Sequence, residues 1–212
     1  MKLTKEMMKL YAVTDRRWLD KITLEEIVEE ALKSGVTFLQ LREKKLSQKE
    51  FLEEAIKIRK ISNRYHIPFV INDNVEIAIA SGADGVHVGQ SDIKSRDIRS
   101  LIGSERILGI SANTVETAKK AEQNGADYLG VGAVFPTKTK KDAKGISVEE
   151  LREICEAVTI PVVAIGGIDE NTVMKLKGSK IDGICVISAI FSKSDIEKAT
   201  KKLRSLVEKI VI

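Results

Sequence analysis

The sequence has only two cysteines and little excess of charge of either sign. Cys155 and Cys185 cannot build a disulfide scaffold and lack the partner spacing of a zinc site, so a reducing cytoplasm is the expected location. Lysine and arginine number 35 against 31 acidic residues, and the basic residues are spread along the chain rather than clustered. That distribution argues against nucleic-acid binding.

Long hydrophobic runs are also lacking. The most apolar stretches, residues 160–168 and 183–191, fall far short of the ~20 residues that a membrane-spanning helix needs. The lysine-containing first ten residues lack the apolar run of a signal peptide. We therefore expect a soluble cytoplasmic protein that binds neither membranes nor nucleic acids, while the sequence leaves self-association into a homo-oligomer open.

Eight short apolar runs alternate with longer amphipathic segments along the chain. Their length and β-branched content predict buried parallel strands at residues 10–13, 38–41, 69–71, 86–88, 107–110, 128–131, 162–165 and 183–186. Eight strand–helix units favour a single (β/α)8 TIM barrel over residues 1–212, with no linker or second domain. An open doubly wound sheet is the alternative, but its usual glycine fingerprint is missing after the first run.

The segments between the runs carry signals for the starts and ends of helices. Serine or threonine followed three residues later by glutamate predicts capping boxes at Thr23, Ser47, Ser147 and Ser194. Thr114 and Asp169 are candidate caps for two more helices. Glycine predicts helix ends at Gly35, Gly82 and Gly125.

Polar residues follow the second, third and fourth runs, where the catalytic face of a barrel is expected. Gln40, Arg42 and Lys44 alternate along an extended strand, so two cations and an amide point to one side and suit a phosphate or diphosphate. Asp73 and Asp92 stand at neighbouring strand ends beside that group, and such a pair fits Mg²⁺. The alternatives are surface charge for the cations and helix caps for the aspartates.

The later strand ends carry a second polar group. Ser111 ends the fifth run and could bind a ligand or cap the turn. The loop 134–145 is long and rich in lysine and threonine, which predicts a lid over an anion, with a solvated lysine run as the alternative. Gly166, Gly167 and Ser188 follow the last two runs and predict the commonest phosphate site of this fold. Two anion sites on one face predict two phosphorylated small-molecule substrates.

Other conspicuous residues are predicted to have structural positions. His87 lies inside the fourth run and is interpreted as an interior or packing histidine rather than a catalyst, and Cys185 as a core residue. Trp18 belongs to the first loop and could cover the mouth of the barrel.

Taken in order, these segments resemble the thiamin phosphate synthase family from Leu10 to about Phe191. The resemblance is carried by residues 10–15, the pattern Gln40-x-Arg42-x-Lys44, and residues 71–73, 85–92, 109–111, 135–140, 164–168 and 186–190. Each motif alone is weak, but eight in the right order are specific. This chain has Asn113 where many relatives have histidine, and its stretch 142–145 is shorter than in some members.

The resemblance implies a transferase that joins 4-amino-2-methyl-5-hydroxymethylpyrimidine diphosphate to 4-methyl-5-(2-hydroxyethyl)thiazole phosphate, with Mg²⁺ as cofactor. It implies that the pyrimidine diphosphate is bound by Gln40, Arg42, Lys44, Asn72, Ser111 and Lys140, and Mg²⁺ by Asp73 and Asp92. The implied ligands of the thiazole phosphate are Thr137, Lys138, Thr139, Gly167, Ile187 and Ser188. The expected catalytic residues are Arg42, Lys44, Ser111 and Lys140.

The expected reaction is dissociative, because an amino-substituted pyrimidine can stabilise the cation that forms when diphosphate departs. Such an enzyme needs leaving-group stabilisation and alignment of the two rings rather than a nucleophile. A thiazole tautomerase-like enzyme is one alternative, but it would not need Arg42, Lys44 and both aspartates. A non-catalytic binder of thiamin intermediates and a Schiff-base aldolase are the others, and the aldolase would need a strand-end lysine in an apolar setting.

Overall fold

The computed structural model describes residues 3–19, 22–91, 97–137 and 145–211. Eight parallel strands close into a barrel in sequence order, which confirms the prediction of a TIM barrel. The strands are β1 Leu10–Val13, β2 Phe38–Leu41, β3 Phe69–Asn72, β4 Gly85–Val88, β5 Ile107–Ala112, β6 Tyr128–Val131, β7 Val162–Ile165 and β8 Gly183–Val186.

The strands are apolar on both faces because each face packs against a different part of the core. One set of side chains, including Tyr11, Phe38, Val70 and Tyr128, fills the barrel interior. The alternate set packs outward against the helices. Burial of both faces explains why the strands read as continuous apolar runs instead of alternating ones.

Helices cover the outside of the barrel. The described α-helices are α1 Lys5–Met8, α2 Leu24–Lys33, α3 Gln48–Arg64, α4 Val75–Ala80, α5 Ile98–Ile102, α6 Val115–Gln123, α7 Val148–Ala157, α8 Ser188–Phe191 and α9 Ile196–Val207. Two 3₁₀ helices span Arg16–Trp18 and Val173–Leu176. Within the described ranges, no helix combines the length and the apolar character needed to cross a membrane.

Three of the four predicted capping boxes are present, at Thr23, Ser47 and Ser147. The prediction at Ser194 is wrong, because Asp195 caps α9 and its carboxylate accepts a hydrogen bond from the Lys198 N–H at 2.8 Å. A carboxylate at this place also interacts favourably with the positive end of the helix dipole.

Of the two further cap candidates, Thr114 does cap α6 through its hydroxyl. Asp169 instead closes a turn by accepting hydrogen bonds from the N–H groups of Asn171 and Thr172, and only the 3₁₀ helix follows it. Predicted helix ends at Gly35 and Gly82 are confirmed by positive φ values of 119° and 68°.

Four side chains, which we call the rim pins, join the strands at the amino-terminal rim of the barrel. Thr37, Asp84, Asp127 and Asp182 directly precede the even-numbered strands. Each accepts a hydrogen bond of 2.7–2.9 Å from a main-chain N–H in the first or second residue of the preceding strand. The three carboxylates also form ion pairs with Arg59, Arg99 and Lys5, respectively.

Candidate active site

A cavity of about 440 Å³ opens at the carboxyl ends of the strands, where the sequence places the polar residues. Its volume lies in the range of small-molecule sites. All the predicted site residues that the structure describes line it: Gln40, Arg42, Lys44, Asn72, Asp73, Ser111, Thr137, Gly167, Ile187 and Ser188. Lys138, Thr139, Lys140 and Asp92, which the resemblance also implicates, lie outside the described residues.

Asp73 is held at the cavity by a cation and an amide from neighbouring strand ends. Its Oδ2 lies 3.2 Å from Lys44 Nζ and accepts a hydrogen bond of 2.7 Å from Asn72 Nδ2. The residue has a φ of 61°, which is uncommon for a side chain other than glycine, and its N–H donates to the His87 carbonyl at 2.8 Å. Such strained backbone concentrates at functional sites.

The helix-cap alternative for Asp73 is wrong, because Asn74 caps α4. Its Oδ1 accepts a hydrogen bond of 2.9 Å from the Ile77 N–H at the start of α4. Asp73 therefore has no capping role and presents its carboxylate to the cavity. A single half-exposed carboxylate of this kind suits an ion such as Mg²⁺, which typically takes one or two carboxylates and completes its shell with phosphate oxygens and water.

The loop after β1 holds the end of β2 that carries Arg42. The Arg42 N–H donates to Thr14 Oγ1 at 3.0 Å, and Arg16 Nε donates to Glu43 Oε1 at 2.6 Å. Burial raises the pKa of Asp15, but the hydrogen bonds and charge of Arg17 outweigh it, so the pKa is lowered. These contacts tie two loops together beneath Arg42.

The pKa of neighbouring Glu43 shifts in the opposite direction. It is raised because burial of the carboxyl outweighs the attraction of Arg16.

Trp18 packs against the outer core and beside Arg17, whose guanidinium carbon lies 4.8 Å from the centre of the indole ring. It is absent from the residues that line the cavity.

Buried and half-buried side chains at the floor of the cavity form a hydrogen-bonded network between β2 and β5. Gln40 Nε2 donates to the Tyr11 hydroxyl, which lies 2.8 Å from the Tyr128 hydroxyl. The Tyr128 hydroxyl lies 2.9 Å from His87 Nδ1, and His87 Nε2 lies 3.0 Å from Ser111 Oγ. The chain connects two predicted substrate-binding residues, Gln40 and Ser111.

His87 lies inside the barrel against Tyr128, as predicted, but it is more than a packing residue because it also lines the cavity and contacts Ser111. Glycines on the two following strands make room for it. A Cβ at Gly109 would lie 2.5 Å from His87 Nδ1, and one at Gly130 would lie 3.1 Å from His87 Cε1. Glycine inside two adjacent strands was the available signal, since it often marks a close approach of another group.

The turn after β7 bounds one side of the cavity. Gly166 and Gly167 have φ values of 100° and 63°, and a Cβ at Gly167 would lie 2.5 Å from the Pro136 carbonyl oxygen. The Phe135 N–H donates to the Gly166 carbonyl at 3.0 Å, so the turn and the start of the loop after β6 pack together beside Thr137. Only glycine permits this close approach.

Ser188 and Asn113 lie at two further places on the border of the cavity. Ser188 begins the four-residue helix α8 directly after β8 and is exposed. Asn113 follows β5, and its N–H donates to Thr117 Oγ1 at 3.3 Å. Both residues line the cavity. Cys185 lies deeper, where it is buried in the barrel interior, and burial raises its pKa well above the usual value.

Comparison with known proteins identifies the family. The family model for thiamine monophosphate synthase matches residues 10–190. The thiamine-phosphate synthase of Clostridium tetani is 55% identical over 92% of this chain and 93% of its own length. That of Methanobrevibacter smithii is 46% identical over 92% of this chain and 93% of its own length.

A solved structure has the same fold throughout. The thiamine phosphate pyrophosphorylase of Pyrococcus furiosus superposes with a TM-score of 0.89 at 40% identity and covers 98% of this chain and 99% of its own. The chain therefore belongs to the thiamine monophosphate synthase family, whose members are transferases.

Proposed function

We propose that this chain joins 4-amino-2-methyl-5-hydroxymethylpyrimidine diphosphate to 4-methyl-5-(2-hydroxyethyl)thiazole phosphate and releases diphosphate. The observation that carries the proposal is that two groups of residues whose chemistry suits phosphates line one cavity. Arg42 and Lys44 form the first with Asp73, and the glycine turn and Ser188 form the second. Family membership supports the assignment of one phosphorylated substrate to each group.

The first group receives the diphosphate. Lys44 already contacts Asp73, so a substrate diphosphate entering here meets an arranged pair of opposite charges instead of two independent side chains. Asp73, together with Asp92, would hold Mg²⁺, which when bound supplies positive charge to the diphosphate. Arg42 and Lys44 add cations whose effect grows as negative charge develops on the leaving group.

The second group receives the thiazole phosphate. Gly167, Ile187 and Ser188 offer main-chain N–H groups and a hydroxyl, and Thr137 adds a second hydroxyl from the loop after β6. Anchoring the phosphate there would direct the thiazole ring into the cavity. Alignment of the thiazole nitrogen with the reacting carbon of the pyrimidine is the main task of this side.

The reaction proceeds by departure of diphosphate before the thiazole nitrogen attacks. Three apolar residues, Val13, Val163 and Cys185, line the cavity beside the hydrogen-bonded side chains and support this order. They limit the access of water to the pyrimidine cation, which water would otherwise capture as the alcohol. No nucleophile from the protein is needed, and Lys140 of the loop after β6 would add a further cation beside the leaving group.

The test is to incubate the purified protein with both substrates and Mg²⁺ and to measure diphosphate and product by mass spectrometry. We expect rapid release of diphosphate only when both substrates are present. Isomerisation of a thiazole phosphate without the pyrimidine substrate would indicate the tautomerase-like alternative instead. Binding of both substrates without turnover would indicate a binding protein.

A further inference from the structure

The hydrogen-bonded chain under the cavity has a direction that its donors and acceptors determine. Tyr11 and Tyr128 are 1% and 0% exposed, so their hydroxyl protons must be donated to protein groups. The Tyr11 hydroxyl has two contacts among the described residues, Gln40 Nε2 and the Tyr128 hydroxyl. An amide nitrogen only donates, so the Tyr11 proton is donated to Tyr128.

The donors and acceptors of the next hydrogen bonds, from Tyr128 to Ser111, follow in the same way. Because the Tyr128 oxygen accepts from Tyr11, its own proton is donated to His87 Nδ1, 2.9 Å away. A nitrogen that accepts a hydrogen bond in neutral imidazole leaves the proton on the other nitrogen. His87 Nε2 therefore carries the proton and donates it to Ser111 Oγ at 3.0 Å. The Ser111 proton is then directed towards the cavity that the residue lines.

We propose that Tyr128 is a positioning residue that holds His87 as the Nε2–H tautomer and so determines which atoms Gln40 and Ser111 present to the substrate. Gln40 presents its carbonyl oxygen as an acceptor, and Ser111 presents its hydroxyl as a donor. This reading deepens the proposed function, on which it rests for the ligand. An aminopyrimidine offers the complementary pair, an amino N–H donor and a ring-nitrogen acceptor.

Glycine residues of the barrel leave room for this chain of hydrogen bonds. A Cβ at Gly109 would lie 2.2 Å from Tyr128 Cζ and 2.5 Å from His87 Nδ1, so the bridge between the two rings exists only with glycine there. Tyr128 and His87 rings lie 5.5 Å apart between centres. If every hydrogen bond from Gln40 to Ser111 ran in the opposite direction, the site would present a donor to the amino group and an acceptor to the ring nitrogen.

The tautomer can be read by nitrogen NMR on protein labelled with ¹⁵N-histidine. The chain has only two histidines, and the exposed His66 can be replaced by asparagine, which tolerates its φ of 54°, to assign the signals. At about pH 8, where imidazole is ordinarily neutral, we expect the His87 Nδ1 shift to be that of an unprotonated nitrogen and the Nε2 shift that of a protonated one. The opposite tautomer in the wild-type protein would overturn the proposal.

The positioning role is tested with Tyr128→Phe, and Tyr65→Phe serves as a matched control. Tyr65→Phe likewise removes a tyrosine hydroxyl, one that donates to Glu29 at 2.7 Å on the outside of the barrel. Tyr128→Phe removes the hydroxyl that contacts both Tyr11 and His87. We expect it to change the tautomer signals of His87 and to raise the KM for the pyrimidine diphosphate at least roughly tenfold. The KM for the thiazole phosphate should stay within about twofold of the wild-type value, and Tyr65→Phe should change none of these.

Unchanged His87 signals or an unchanged pyrimidine KM in Tyr128→Phe would refute the role of Tyr128. If that variant does not fold, the wild-type spectrum still decides the direction of the chain. The spectrum requires no substrate, so a protein that fails to form product but shows the expected tautomer would contradict the proposed function and leave the hydrogen-bond direction supported.

Discussion

Replacing Gly167 with alanine should separate the thiazole phosphate site from the general stability of the barrel. Gly167 has a φ of 63°, and an added Cβ would lie 2.5, 2.7 and 2.8 Å from main-chain atoms of Pro136 and Phe135. Gly82 at the end of α4 is a matched control, with a φ of 68° and no atom within 4 Å of an added Cβ. Both variants place alanine at a positive φ, and only Gly167→Ala adds a steric clash with the backbone.

The expected magnitudes follow from that difference. A left-handed alanine costs about 1–2 kcal/mol, and at about 2–4 °C per kcal/mol Gly82→Ala should lower the Tm by about 2–8 °C. Gly167→Ala adds a steric clash with the backbone, and overpacked substitutions of this kind typically cost about 1–3 kcal/mol more of folding stability. Relief of the collision moves the loop that carries Thr137, so loss of one charge-assisted hydrogen bond should weaken thiazole phosphate binding about 10- to 150-fold.

Calorimetric titration of each substrate and differential scanning calorimetry measure these quantities. Gly82→Ala should keep wild-type affinity for the thiazole phosphate despite its lower Tm. The reasoning would be refuted if both variants bound the thiazole phosphate equally well. An equal loss of pyrimidine diphosphate affinity in Gly167→Ala would show general damage instead of a local site.

Three further predictions concern charge and thiol chemistry. Lys44→Ala should slow the single turnover by raising its activation free energy by about 2–4 kcal/mol. Lys45→Ala, one residue further along and outside the cavity lining, should leave the single-turnover rate unchanged. Asp73→Ala should abolish the response of turnover to added Mg²⁺ while calorimetry still detects thiazole phosphate binding, and a normal response at limiting Mg²⁺ would exclude it as a ligand. Burial raises the pKa of Cys155 to about 12 and that of Cys185 further, so at about pH 8 only roughly one Cys155 thiol in 10⁴ is ionised, and iodoacetamide should label the protein only after unfolding.

The order and type of the strands were predictable because a buried parallel strand is continuously apolar. Five of the eight strands have the predicted bounds, and the differences lie at the ends of β3, β4 and β5. There the ladder continues through Asn72, Gly85 and Ser111, whose small or polar side chains interrupt the apolar pattern. Hydrogen bonding of the main chain determines the ends of these strands, and composition does not report it.

The location of the site was predictable for a related reason. Parallel strands in a closed barrel bring all their carboxyl ends to one rim, so residues after different strands meet without any knowledge of their contacts. The contacts themselves were not predictable. Tyr11 and Tyr128 are 117 positions apart in sequence, and neither differs locally from an ordinary core aromatic residue. Their hydrogen bond depends on packing across the whole barrel.

The error at Ser194 has a different origin. Ser194 and Asp195 are adjacent, and both are good helix caps, so the pattern allows two starts for α9 one residue apart. Choosing between them requires knowledge of how the helix docks. Similarly, His87 could be assigned to the cavity only by recognising that Gly109 and Gly130, on other strands, leave space beside it.

The rim pins give the barrel a modular construction. Each joins the two strands of one consecutive pair, so division of the chain between α5 and β5 leaves two pins complete in each half. Among the described residues, two ion pairs then cross between the halves, Arg99 with Asp127 at one boundary and Lys5 with Asp182 at the other. Division between β3 and β4 would instead separate Asp84 from Phe69. Fragments cut at the first place, but not at the second, are therefore suited to reassemble as two complementary half-barrels when produced together.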